Sequence, residues 1–257
     1  MTPALHVVRA GVGPRILLIH GSAADHTTWS IQLNSTSLRG DFELIAYDRR
    51  GDVTTVEEHA DDAAALLAEF RQKTLIVGSS FGAVVALDVL RRYPERCAGG
   101  VLIEPPMAAD DHTPAASAEF LAAFDRCVEE QGGPAAGELF LKTVLGDAAY
   151  ERMPRAFRER SVAKWKEIRA DSVALMAYRP RYAELWNVRV PVRLLGGGRS
   201  ASYFRPTLEA LVNALPAAEL EIIENAGHMM QAEAFRRFAD VLTAFGGEVL
   251  PMAETTG

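Results

Sequence analysis

The chain has 257 residues, 49% of them hydrophobic, enough for one sizeable core carrying an insertion or for two small domains. A net charge of −7, a pI near 5.5 and scattered basic residues argue against a nucleic-acid partner and fit a protein handling small, mostly uncharged molecules. No apolar run approaches the roughly 18–20 residues a membrane span needs. Residues 1–6 show no charged segment followed by an apolar block, and Cys97 and Cys127 lack metal-ligand spacing. No membrane association and a reducing, cytoplasmic setting are therefore expected.

Short runs rich in Val, Ile and Leu alternate with longer helical patterns, as in a parallel sheet with crossover helices. Residues 5–9 and 15–19 read as strands joined by Gly11-Val12-Gly13-Pro14, and 42–47 as the next strand. Residues 56–71 read as a helix with Thr55 as N-cap and Ala60, Ala64, Leu67 and Phe70 on its apolar side. The run 75–77 leads into Gly78-Ser79-Ser80-Phe81-Gly82, a helical pattern follows from Ala83 to Tyr93, and 100–103 is a further strand. Between Pro105 and Trp186 the strand rhythm stops. Helices are expected over 119–130, 139–145 and 162–178, broken at Gly132-Gly133-Pro134, Gly146 and Pro154, and the arginine-rich stretch 152–160 reads as a solvated helix face.

Strands at 190–195 and 219–223 bracket a helix at 203–215, and a last helix over 228–245 stops at Gly246-Gly247. Residues 248–257 lack an apolar face and read as a loose tail. The expected fold class is α/β, a mostly parallel twisted sheet with helices on both faces. Residues 1–104 and 187–257 form its core, and 105–186 form a helical lid inserted after the strand that follows the glycine-flanked serine.

Gly78 to Gly82 has the form of a nucleophile elbow, a strand-to-helix turn so tight that small residues must stand two positions either side of the serine. Only Ser80 has Gly78 and Gly82 in those places; Ser79 would have Val77 and Phe81. The bland alternative is a glycine-rich loop without chemistry. A serine hydroxyl needs a base, and the base needs a third group to hold it. Of six histidines, His228 lies in a loop directly after the last strand, at the carboxyl edge where such sheets bind ligands. His20, after the strand at 15–19, is expected to shape the turn presenting the Ser22 N–H. The Phe81 N–H would be the second oxyanion donor. His6, His26, His59 and His112 read as solvent-facing or packing residues.

The ordered set of His20-Gly21 with Trp29 downstream, Tyr47-Asp48-Arg49-Arg50-Gly51, the Ser80 elbow, the 105–186 insertion and Gly227-His228 resembles the α/β-hydrolase family over residues 4–246. Two departures stand out. The N-terminal part is short by about one strand. The acid is also missing from its usual place after the strand at 190–195, where the chain reads Gly196-Gly197-Gly198-Arg199-Ser200. The resemblance offers a second position, the end of the strand after the elbow helix, and Glu104 stands there. Glu104 is thus the expected partner of His228, with a structural carboxylate as the alternative and Asp110 or Asp111 as weaker choices on a solvated loop.

A serine nucleophile with a histidine base favours acyl transfer, so hydrolysis of an ester, lactone or thioester of a medium-sized apolar molecule is the leading expectation. No metal or organic cofactor is called for, and a homodimer is compatible with the chain. Trp29, Met107, Phe204 and Met229 are expected to wall the pocket from loops at the carboxyl edge, with Trp165 and Tyr178 contributed by the lid. Phe124, Phe140, Tyr182 and Trp186 are aromatic too, but helical spacing explains them as packing residues. The same fold hosts lyases, cyclases, cofactor-free oxygenases or decarboxylases, and small-molecule binding proteins, so these classes stay open.

Overall fold

A computed structural model describes residues 5–250. Seven strands form one sheet: β1 (Val7–Ala10), β2 (Arg15–Ile19), β3 (Glu43–Tyr47), β4 (Thr74–Ser79), β5 (Cys97–Ile103), β6 (Val192–Gly197) and β7 (Ala218–Ile223). Their order across the sheet is β1-β3-β2-β4-β5-β6-β7, and every neighbouring pair is parallel except β1 with β3. This is the mostly parallel sheet the sequence implies, with β4 and its elbow in the middle.

Strand periodicity divides the core in two. Leu17, Ile19, Ile45, Tyr47, Ile76 and Leu102 point to one side, and Ile16, Leu18, Leu44, Ala46, Val77 and Val101 to the other. Two short helices, α1 (Ser30–Leu33) and α2 (Thr36–Asp41), pack on the second side, while α3 (Val56–Leu67) and α4 (Phe81–Arg92) pack on the first. Thr55 caps α3 by accepting the Glu58 N–H, as its placement predicts.

Six helices lie between β5 and β6: α5 (Ala118–Gln131), α6 (Gly133–Leu145), α7 (Asp147–Arg152), α8 (Arg155–Ala163), α9 (Trp165–Ala177) and α10 (Tyr182–Leu185). They gather a third cluster around Phe124, Leu141, Tyr150 and Ile168, which also takes in Ala23 from the loop after β2. Gly132 and Gly146 separate helices as expected, both at positive φ. Two boundaries differ from expectation. Gly133 and Pro134 open α6 instead of interrupting it, since proline fits the first turn where no N–H partner is lost. The stretch 162–178 is two helices, parted at Lys164.

After β6 come α11 (Phe204–Ala214), a single turn α12 (Met230–Glu233) and α13 (Phe235–Val249). The last helix therefore runs through Gly246-Gly247 rather than ending before them, and Glu248 and Val249 belong to it. The reason is packing: a Cβ on Gly246 would lie 2.7 Å from the Phe42 ring, so this glycine serves helix–sheet contact rather than termination. Residues 251–257, the remainder of the expected tail, lie outside the described residues. Among the described residues no helix is long and apolar enough to cross a membrane.

Candidate active site

Ser80 sits between β4 and α4 at φ 56°, a left-handed conformation that a residue with a side chain adopts only where its surroundings force it. Its N–H is anchored to the Ile103 carbonyl at 2.8 Å. A Cβ on Gly78 would collide with the Gly82 carbonyl, and one on Gly82 with the carbonyls of Ile19 and His20. The two glycines let β4, α4 and the end of β2 close on one another. A third glycine completes the junction: a Cβ on Gly21 would lie 2.9 Å from the Ser80 Cβ and 3.6 Å from its Oγ. Ser79, by contrast, is buried inside β4 opposite Ile103.

His228 follows β7 and is 7% exposed. Its Nδ1 and Glu104 Oε2 are 2.6 Å apart, and Glu104 Oε1 accepts the Gly197 N–H at 2.7 Å. Glu104 directly follows β5, at φ 43°, and is buried to 1% exposure, with both oxygens accepting hydrogen bonds. The glycine run at the end of β6 therefore supplies a backbone donor to Glu104. A Cβ at Gly197 would meet the carbonyls of Ala226 and Gly227 at 2.7 and 2.8 Å, so the run also lets the histidine loop pack closely. Phe204 lies flat on the imidazole, with ring centroids 4.6 Å apart and planes at 8°. Ser80 and His228 line one cavity of about 50 Å³, and no direct hydrogen bond joins the Ser80 hydroxyl to the imidazole. Such bonds are often long in ligand-free enzymes and tighten when substrate binds.

Gly21, Ser22, Ala23 and Ala24 also line that cavity. Phe81 is the first residue of α4, where an N–H has no intrahelical acceptor, and its side chain is fully buried behind the elbow. His20 Nδ1 pairs with the Gly21 carbonyl at 2.8 Å, and its Nε2 accepts the Arg49 N–H at 3.1 Å. Burial, followed by the Arg49 charge, pushes the His20 imidazole down to about 3, so it stays neutral and holds the turn by hydrogen bonds.

Of the expected pocket residues, Met229 lines the cavity and Phe204 contacts it only through His228. The other four lie elsewhere. Trp29 is fully buried in the core against Phe238, because its short helical turn packs under α13 rather than over the edge. Tyr178 is buried between α4 and the insertion, its hydroxyl bonded to Asp88 at 3.2 Å. Trp165 packs over Gly133 inside the insertion, and Met107 lines a separate outer groove with Pro106, Tyr203 and Thr207. The cavity wall comes instead from Phe140, Leu141, Val144 and Leu145 of α6, with Met153 and Phe157. Their i, i+4 spacing marks an apolar stripe in the sequence but not what the stripe faces.

A buried network behind the Ser22 loop, joining Arg49, His59 and Asp171, also escapes a reading based on motifs. His59 is a packing residue as expected, and burial with the neighbouring Arg49 holds it down at about 2. Among the described residues one group, His6, His26 and Asp48, brings metal-ligand atoms within 4.8 Å of one another. None of the three lines the cavity, and His26 already pairs with Asp48 at 2.8 Å.

Comparison with known proteins agrees with this architecture. Over 103 residues, 36% of this chain, it is 38% identical to the uncharacterized hydrolase YraK of Bacillus subtilis (strain 168), spanning 37% of that protein's length. Carboxylesterase YbfK of the same organism is 25% identical over 247 residues, covering 89% of this chain and 79% of the relative. A thermophilic esterase from Thermogutta terrifontis superposes with a TM-score of 0.82 at 24% identity, covering 98% of this chain and 97% of that one. The model of the alpha/beta hydrolase family matches residues 16–241, which is most of the described sheet and all of the insertion, and the chain belongs to that family.

Proposed function

We propose that this protein is a serine esterase that works through an acyl-enzyme, with Ser80 as nucleophile, His228 as base and Glu104 as the group that orients the base. The observation that carries the reading is the buried His228–Glu104 pair, 2.6 Å long, whose histidine lines the same cavity as Ser80. With Nδ1–H donated to Glu104, the histidine keeps Nε2 free to take the serine proton. Attack on the ester carbonyl places negative charge on its oxygen, and the N–H groups of Ser22 and Phe81 receive it. The imidazolium then returns its proton to the leaving alcohol. Water, activated by the same histidine, releases the acid.

The lining bears on the substrate. Ala23, Phe140, Leu141, Val144 and Met153 wall the cavity with apolar side chains, which suits an apolar acyl group. The 105–186 insertion acts in this reading as a lid, since Phe140, Leu141, Val144 and Leu145 of its α6 and Phe157 and Ser161 of its α8 line that cavity.

The test is hydrolysis of p-nitrophenyl acetate and butyrate, with labelling by a fluorophosphonate probe. The expected result is turnover of both esters and a covalent adduct on Ser80, each abolished in Ser80→Ala. A folded wild-type protein that neither turns over these esters nor takes the label would overturn the reading in favour of lyase chemistry or simple binding.

A further inference from the structure

The densest buried charge outside the Ser80–His228–Glu104 line sits directly behind the Ser22 loop. Asp171, on α9 of the insertion, meets Arg49, in the loop after β3, through two parallel bonds. Nη1 donates to Oδ1 at 2.9 Å and Nη2 to Oδ2 at 2.8 Å, with both side chains 4% exposed. The same guanidinium donates from Nε to the His20 carbonyl at 3.1 Å and from Nη2 to the Gly21 carbonyl at 3.2 Å. Its carbon stands 4.5 Å from the centre of the Phe81 ring. The Ser22 hydroxyl donates to Asp171 Oδ2 at 2.7 Å. His59 Nε2 completes the shell as an acceptor for Nη1 at 3.1 Å.

A buried ion pair is weak as a stabilising device, because desolvating two charges offsets most of their attraction. The partners of this pair are informative instead. Besides His59, they are residues 20–22 and the side chain of Phe81, the two segments that carry the oxyanion N–H groups in the proposed mechanism. We infer that Asp171 is a positioning residue for the oxyanion hole, holding Ser22 through its hydroxyl and the loop through Arg49. The hole is then in register only while the insertion helix α9 is seated. This rests on the serine-esterase reading and adds to it a lid residue that touches no substrate.

The discriminating variant is Ser22→Ala, which keeps the backbone N–H and the Arg49–Asp171 pair and removes a single hydrogen bond. Its kcat on p-nitrophenyl butyrate is expected to fall about 10-fold with KM within about 2-fold, since the lost register matters in the transition state and not in ground-state binding. Affinity for an alkylboronic acid, which mimics the tetrahedral intermediate, should weaken by a similar factor while affinity for the product carboxylate stays unchanged. Asp171→Asn should reduce kcat further, about 100-fold, with its fold checked by circular dichroism because it leaves Arg49 buried without a counter-charge. A folded Ser22→Ala protein with wild-type kcat and boronate affinity overturns the inference and leaves the esterase reading intact. Activity surviving in Ser80→Ala overturns both.

Discussion

Four residues with side chains have positive φ among the described residues, and three of them, Ala23, Ser80 and Glu104, surround one cavity or support its histidine. Backbone strain of this kind costs on the order of 1–3 kcal/mol per residue and persists only where the surroundings over-determine it. At Glu104 the constraint is visible. The strand has ended, the Glu104 N–H is still held by the Leu195 carbonyl at 3.1 Å, and the side chain turns to reach His228 on one side and Gly197 on the other. The two oxygens therefore have different jobs. In Glu104→Gln the Gly197 N–H still demands an oxygen, so the amide NH₂ faces His228 Nδ1 and forces the imidazole to carry its proton on Nε2. That is the wrong tautomer for accepting a proton from Ser80. The variant is expected to fold normally and to lose about 10³–10⁴-fold in kcat on p-nitrophenyl acetate, as loss of a triad carboxylate does elsewhere. A kcat within 10-fold of wild type would assign the orienting role to another group.

At the scale of elements, the strands and the elbow are legible in the sequence because each apolar run is short, β-branched and bounded by glycine or polar residues, and because the elbow's glycines are required by backbone contact. The helices are legible as helices but not in what they face. Phe140 is expected to pack and Tyr178 to wall the pocket, yet Phe140 walls the cavity and Tyr178 is buried against Asp88. Arg49 and Asp171 lie 122 residues apart, so no spacing rule connects them. Gly246 and Gly247 read as a helix stop, but the cause of the first glycine is the Phe42 ring, a contact from the other end of the chain. The two positions separate packing from propensity. Gly246→Ala pushes a methyl into Phe42 and should destabilise by about 1–3 kcal/mol. Gly247→Ala meets nothing within 4 Å and should stabilise by about 0.5–1 kcal/mol, because alanine loses less backbone entropy in a helix. Urea unfolding midpoints of the two variants test this directly, and equal effects would mean that α13 ends before the glycines.

For the whole molecule, the buried imidazoles set how stability responds to acid. Burial, then the charge of Arg49, lowers His20 to about 3, and the same causes, with contributions from His20 and Arg50, lower His59 to about 2. In the unfolded chain both rings recover the ordinary value near 6.5. The unfolded state therefore binds more protons than the native state between roughly pH 6.5 and 3, and stability falls as pH falls through that window. More than about one pH unit above 6.5 neither state is protonated and the two rings have no effect. Carboxylates held low by a partner, such as Asp125 by Arg169 and Asp110 by the Thr113 N–H, act only nearer pH 4 and below, so they leave the upper part of the window to the histidines. From pH 6 to pH 5 the unfolding free energy should drop by about 2–3 kcal/mol, close to 1.4 per fully titrating ring. His59→Gln keeps an oxygen to accept the Arg49 bond but cannot take a proton, so its loss over the same interval should be about half as large. Urea titrations at pH 7, 6 and 5 measure both slopes. A wild-type profile that is flat from pH 7 to 5 would mean that water reaches these rings, and the Arg49 network would then have to be open rather than sealed beneath the insertion.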